Sequence, residues 1–115
     1  MNKYQETLNN VRNSFLGSLG DYRREFGEYS EMLADGNRAK EGLKGMQTRA
    51  HKIRGIAATL GYEELGEAAQ GLEEVVIRMQ AERVERIEET ARQFVACFRR
   101  MESALSRQIE AVSAS

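Results

Sequence analysis

Ala50-His51-Lys52-Ile53-Arg54-Gly55-Ile56-Ala57-Ala58-Thr59-Leu60-Gly61 is the stretch on which the reading of this chain turns. Its apolar residues belong to a longer stripe, Leu43, Met46, Ala50, Ile53, Ala57 and Leu60, spaced as on one face of an α-helix and stopped by Gly61. At about 100° per residue, His51 points roughly 135° away from the centre of that stripe. The spacing therefore puts the only histidine of the chain on the solvent side. Gly55 and Ala58 follow on the same side, since residues one and two turns apart stack along a helix. A glycine inside a helix costs about 1 kcal/mol relative to alanine, so one turn from an exposed imidazole it needs a cause. Close approach of another body is such a cause. Lys52, Arg54 and Lys44 flank the bare patch, and their cations suit a dianionic phosphoryl group. A nucleophilic imidazole, nearby cations and a stripped approach surface together describe a phosphate acceptor.

Working outward, helical spacing recurs along the whole chain and strict alternation does not. Tyr4, Leu8, Val11 and Phe15 form a first stripe; Leu19, Tyr22, Phe26, Tyr29 and Leu33 form a second, with Gly17 and Gly20 between them. Asp35-Gly36-Asn37 reads as a turn with a C-cap glycine. After the histidine helix, placed at approximately residues 38–60, come Leu65, Ala69, Leu72, Val76 and Met79. The last stripe is Val84, Ile87, Ala91, Phe94, Phe98, Met101, Leu105 and Val112. Short connections between amphipathic helices favour antiparallel neighbours. The pattern predicts an all-α fold, an antiparallel up-and-down four-helix bundle with an additional N-terminal helix packing across one end.

Size and charge bound the function. A chain of 115 residues suits one domain, taken as 1–115, and it has no proline to break a helix. Seventeen basic against 18 acidic side chains leave a net charge of -1, which gives no broad field for nucleic acid or an anionic membrane. No run of about 18 apolar residues is present to insert into a bilayer. The single cysteine, Cys97, forms no internal disulfide and reads as a small buried thiol beside Phe94, Phe98 and Met101. One histidine and one distant cysteine make no recognisable metal ligand set. These features predict a soluble, cytoplasmic, monomeric domain.

Hairpin arithmetic adds a partner. If the chain reverses near Gly61 and Tyr62, His51 lies about 15 Å before the turn at 1.5 Å per residue, level with residues around 70–74 of the return helix. Gln70 and Glu73 sit there on one flank, and either could accept a hydrogen bond from Nδ1–H of His51. That bond would fix the tautomer and leave Nε2 as the nucleophile.

The segment from Ala50 to Gly61, continued by Leu65 and Leu72-Glu73, resembles the signature of histidine-containing phosphotransfer (HPt) domains. In that family the histidine is followed by an aliphatic residue two on, a basic residue three on and a glycine four on, with a second glycine ten on. The resemblance is specific over about 25 residues and rests on helical pattern elsewhere. It implies a four-helix bundle with the histidine midway along its second helix. It further implies a phosphorelay role, in which the histidine takes a phosphoryl group from the aspartyl phosphate of a response-regulator receiver domain and passes it to another receiver. His51 is then the phosphorylated residue, Arg54 and Lys52 the phosphate-stabilising cations, and Gln70 or Glu73 the orienting partner. Gly55, Ala58 and Lys44 are then the receiver-docking surface. Arginine at position 54 departs from the usual lysine; it keeps the charge and adds a bidentate fork.

No glycine-rich nucleotide loop or Mg²⁺ carboxylate cluster is evident, so the expected protein is a phosphocarrier with no cofactor and no ATP-dependent kinase activity of its own. Mg²⁺ is expected on the partner receiver. The domain is either freestanding or the terminal module of a hybrid sensor histidine kinase. Two other classes compete. A non-catalytic helical module would dock a partner through the Gly55 patch without chemistry. A kinase dimerisation domain would follow its histidine with an acidic residue and then a proline, and here Lys52 follows and proline is lacking.

Overall fold

The computed structural model describes residues 2–81 and 87–114, with only the backbone of Ile87. Four helices follow one another: α1 (Lys3–Ala34), α2 (Ala39–Leu60), α3 (Glu63–Ala81) and α4 (Ile87–Ser113). Each packs against the next in the chain, and α1 closes the ring on α4. No strand occurs among the described residues. The bundle predicted from periodicity is therefore present.

Local chemistry sets the helix ends. Asn2 opens α1 with a reciprocal capping box: its side chain accepts from Gln5 N–H at 2.8 Å, and the Gln5 side chain accepts from Asn2 N–H at 3.2 Å. Gly61 ends α2 in the left-handed conformation, φ 82°, where a side chain would be strained. The Tyr62 N–H then reaches back to the Ala57 carbonyl at 2.9 Å, so the chain reverses within two residues.

Two sequence-based expectations are corrected here. The additional N-terminal helix is not separate; it is the first half of α1, which runs unbroken through Gly17 and Gly20. Neither glycine faces a neighbouring atom within 4 Å, so both sit on the open side of a continuous helix and cost propensity without breaking it. The turn after α1 is not capped by glycine either. Asp35 is the C-cap in an extended conformation, and its carboxylate accepts from Asn37 N–H at 3.0 Å.

The core takes Phe15, Leu19, Tyr22 and Phe26 from α1 and Met46, Ala50, Ile53 and Ala57 from α2. Leu65, Ala69, Leu72 and Val76 of α3 and Phe94, Met101 and Leu105 of α4 complete it. The first stripe is not core throughout. Phe15 is buried and Leu8 half-buried, whereas Tyr4 and Val11 are exposed. α1 has 32 residues against 22 in α2. At the far end of the last stripe, Val112 is also exposed. Val84 lies outside the described residues, as does the side chain of Ile87. Cys97 is half-buried and meets α3 at Gly71.

The seam between α1 and α2 determines how the histidine helix is held. A Cβ on Gly42 would stand 2.7 Å from the Tyr29 carbonyl oxygen, and one on Gly45 would stand 2.4 Å from the Tyr29 ring. Both glycines are there because the helices touch. Further along, Arg49 pairs with Glu25 at 2.6 Å and lies over the Tyr22 ring, 5.3 Å from its centroid. On the other side of the bundle, Arg100–Glu67 and Arg107–Glu64 bridge α4 to α3. Among the described residues no helix is long and apolar enough to cross a membrane.

Candidate functional site

His51 sits midway along α2, on the face opposite buried Ala50, Ile53 and Ala57. Its side chain is 75% exposed, as helical phase predicts. Across the α2–α3 interface, Oε2 of Glu73 lies 2.5 Å from Nδ1. An ionised carboxylate only accepts hydrogen bonds, so in a neutral ring this contact puts the proton on Nδ1 and the lone pair on Nε2.

Glu73 differs from the histidine in setting. Its side chain is only 7% exposed, between Leu72 and the rest of the apolar flank of α3. A buried carboxylate needs partners for both oxygens. The second oxygen, Oε1, accepts from Nη1 of Arg54 at 2.9 Å. His51 and Arg54 are three residues apart on one helix, which places both donors over a single acceptor. Three side chains thus form a chain of charge-assisted bonds from a buried carboxylate out to solvent.

The alternatives left open by the hairpin arithmetic are now separated. Glu73 reaches the ring. Gln70 is exposed and donates instead to Glu74, one turn along α3, at 3.1 Å. Arg54, expected as a cation toward phosphate, has one nitrogen committed to Glu73. Lys52 is exposed and lies beside His51 in a shallow groove. Lys44 is exposed on the histidine face, two turns or about 10 Å toward the helix start.

Gly55 is open as expected: an added Cβ would meet nothing within 4 Å. Openness alone assigns nothing, because Gly17, Gly20 and Gly27 are equally free. What distinguishes Gly55 is its place one turn from His51, in contrast to Gly42 and Gly45, which internal packing requires. The bare surface divides in two. Gly55 lines a groove between α2 and α1 with His51, Lys52, Ile56, Thr59 and Val11. Ala58 lines a second cleft toward α3, with Arg54, Gly61, Tyr62, Gly66 and Gln70. The α1 contribution is the part that sequence reasoning missed. Val11 reads as core from its spacing, and nothing in the sequence sets it beside the histidine face.

Among the described residues no group of three His, Cys, Asp or Glu side chains is gathered as a metal ion would require. Comparisons with curated proteins and with solved structures gave no match. The model of the Hpt domain family matches residues 5–115, taking in all four helices and the His51–Glu73 pair. On that match the chain belongs to the Hpt domains, the helical histidine-phosphotransfer modules of two-component phosphorelays.

Proposed function

We propose that His51 is the residue that carries the phosphoryl group, accepting it at Nε2 from the aspartyl phosphate of a receiver domain and returning it to a second receiver. The observation that carries this reading is the exposed ring whose Nδ1 is tied to a buried carboxylate. In the acceptor step the Nε2 lone pair forms the N–P bond. The P–O bond to the receiver aspartate breaks, its electron pair leaves with the carboxylate, and the Nδ1 proton stays in place. Phosphotransfer catalysis is largely positioning and charge stabilisation, which fits a domain that supplies one oriented nucleophile.

Lys52, next to the ring and exposed, is the cation that meets the phosphoryl charge. Gly55 and Ala58 let the receiver approach, and Lys44 extends the docking face toward the start of α2. The whole chain works as one monomeric phosphocarrier at the cytoplasmic side, with no cofactor of its own; Mg²⁺ belongs to the receiver. It serves either freestanding or as the terminal module of a hybrid sensor kinase.

Incubation with a phosphorylated receiver tests the proposal. The expected result is an acid-labile, base-stable label on the wild type and none on His51→Gln. Label retained by that variant would overturn it. Tight receiver binding with no label on the wild type would instead establish a docking module. Mg²⁺-ATP alone should transfer nothing.

A further inference from the structure

The seam between α1 and α2 opens along its length. At one end the helices touch, and a Cβ on Gly42 would stand 2.7 Å from the Tyr29 carbonyl oxygen. At the other end Val11 and Phe15 of α1 and Lys52 and Ile56 of α2 line a groove together with buried Tyr22. The groove that holds His51 and Gly55 adjoins it and shares Val11, Lys52 and Ile56. Arg49 and Glu25 stand where the tight contact gives way to the open one. Arg49 falls between Gly45 and Lys52 in α2, and Glu25 between Tyr29 and Tyr22 in α1.

Nε of Arg49 lies 2.6 Å from Oε2 of Glu25, and the two side chains are only 26% and 23% exposed. Both atoms are buried, and their alignment makes an ion pair without a hydrogen bond. The guanidinium lies over the Tyr22 ring, 5.3 Å from its centroid, a stacking that suits its planar shape. One turn earlier, at Gly45, the seam leaves no room even for a Cβ. Arginine in the next turn is the opposite choice, a long side chain laid between the helices. We infer that Arg49 is a positioning residue for the receiver: tied to Glu25 and laid over Tyr22, it spaces α1 from α2 at the mouth of the groove beside His51 and so sets receiver affinity without meeting the reacting atoms. The inference rests on the phosphotransfer reading for the identity of the partner, but the spacing does not. A charged pair costs more to bury than an apolar one, and fixing register is the best-attested use of that cost. The His51 ring is oriented from α3, so the reaction step stays independent of Arg49.

The two residues have unequal parts in this device. Arg49→Ala removes the spacer and leaves the Glu25 carboxylate without its cation. Glu25→Gln leaves the guanidinium over Tyr22 but no longer tied, so its effect should be smaller. The double variant leaves no charge buried alone. It should be no worse for receiver affinity than Arg49→Ala, because a tie has no purpose without the part it holds. Two groups acting independently would add instead.

Cross-linking reads the spacing without a receiver. Cys97 is the only cysteine, so Val11→Cys with Thr59→Cys in a Cys97→Ser background leaves one pair of thiols, both lining the groove beside His51. Oxidised glutathione should close that disulfide several-fold faster once Arg49→Ala is added. In the chain without added cysteines, Arg49→Ala should raise the receiver concentration for half-maximal labelling about tenfold, a typical coupling through packed side chains. The labelling rate at saturating receiver should stay within about twofold, a split that a general loss of structure does not give. Arg49→Lys, which keeps a cation beside Glu25, should recover most of the affinity. Should Arg49→Ala fail to fold, Glu25→Gln combined with Arg49→Ala should show the same two shifts. Unchanged cross-linking, an unchanged half-maximal concentration, or an equal fall in the saturated rate would overturn the inference. A wild type that accepts no label while Arg49→Ala still speeds cross-linking would overturn the phosphotransfer reading and leave the spacing role standing.

Discussion

Glu73 joins two residues of the opposite helix whose side chains both reach solvent. Its loss should therefore separate stability from chemistry. In Glu73→Ala both freed donors can be rehydrated, because the His51 ring and the Arg54 guanidinium already reach water. Removing one acceptor under those conditions costs about 1 kcal/mol or less, since no donor is left buried and unpaired. Labelling should fall by a factor of about 10 to 100, the usual consequence of losing the group that orients a reactive histidine. Urea unfolding and receiver-dependent labelling of the same preparation check both halves; an unfolding loss of several kcal/mol would mean the carboxylate serves the fold. Much of this was legible beforehand. Helical phase alone gives the exposure of His51, and counting back from Gly61 gives the level of its partner. The choice between Gln70 and Glu73 was not legible, because residues three apart on α3 stand almost equally near α2. In the structure Glu73 is buried and reaches the ring, while Gln70 is exposed and donates to Glu74. Nor did sequence show that Arg54 spends a donor on the same carboxylate.

At the scale of elements, α2 holds glycines of opposite kinds. Gly42 and Gly45 let α1 approach, and at Gly42 the obstacle to a side chain is a backbone oxygen that cannot step aside. Gly42→Ala should force the helices apart and destabilise the bundle by about 1–3 kcal/mol, the cost of overpacking. Gly55→Ala meets no neighbour, so it should stabilise the same helix by up to about 1 kcal/mol through propensity. Thermal unfolding should thus move in opposite directions for one chemical change made twice in one helix. Transfer should slow in Gly55→Ala despite the added stability, and more so with a larger residue there; unchanged transfer would remove Gly55 from the approach surface. Sequence separates these glycines only partly. Gly55 shares a face with His51, which is countable. What lies across from Gly42 depends on where Tyr29 falls, and that follows from the register of two helices rather than from either alone. The fusion of the first two stripes into α1 has the same origin: an isolated glycine weakens a helix by about 1 kcal/mol, which packing by Phe15 and Leu19 on either side readily offsets.

The bundle as a whole decides which surface a receiver meets. Val11 of α1 is left 41% exposed beside the histidine face. The groove that holds His51, Lys52 and Gly55 is closed on its far side by that residue. The proposed docking surface is therefore composite, a cationic and stripped ridge on α2 with an apolar wall on α1. Neither the full length of α1 nor its offset along α2 is readable in the sequence, so a spacing that reads as core lines the groove beside His51 instead. Val11→Lys tests this assembly. Position 11 lies inside α1, lysine is a good helix former, and the lost burial is partial, so stability should change by no more than about 0.5 kcal/mol. The His51 tautomer should be unchanged, because Glu73 approaches the ring from α3. Receiver affinity should weaken about tenfold, the loss expected when an apolar contact is replaced by a charge that must be desolvated. Saturating receiver should restore the labelling rate, since the nucleophile itself is untouched. A rate that stays low at saturation would place Val11 in the chemistry, and an affinity that does not move would confine docking to α2 and α3.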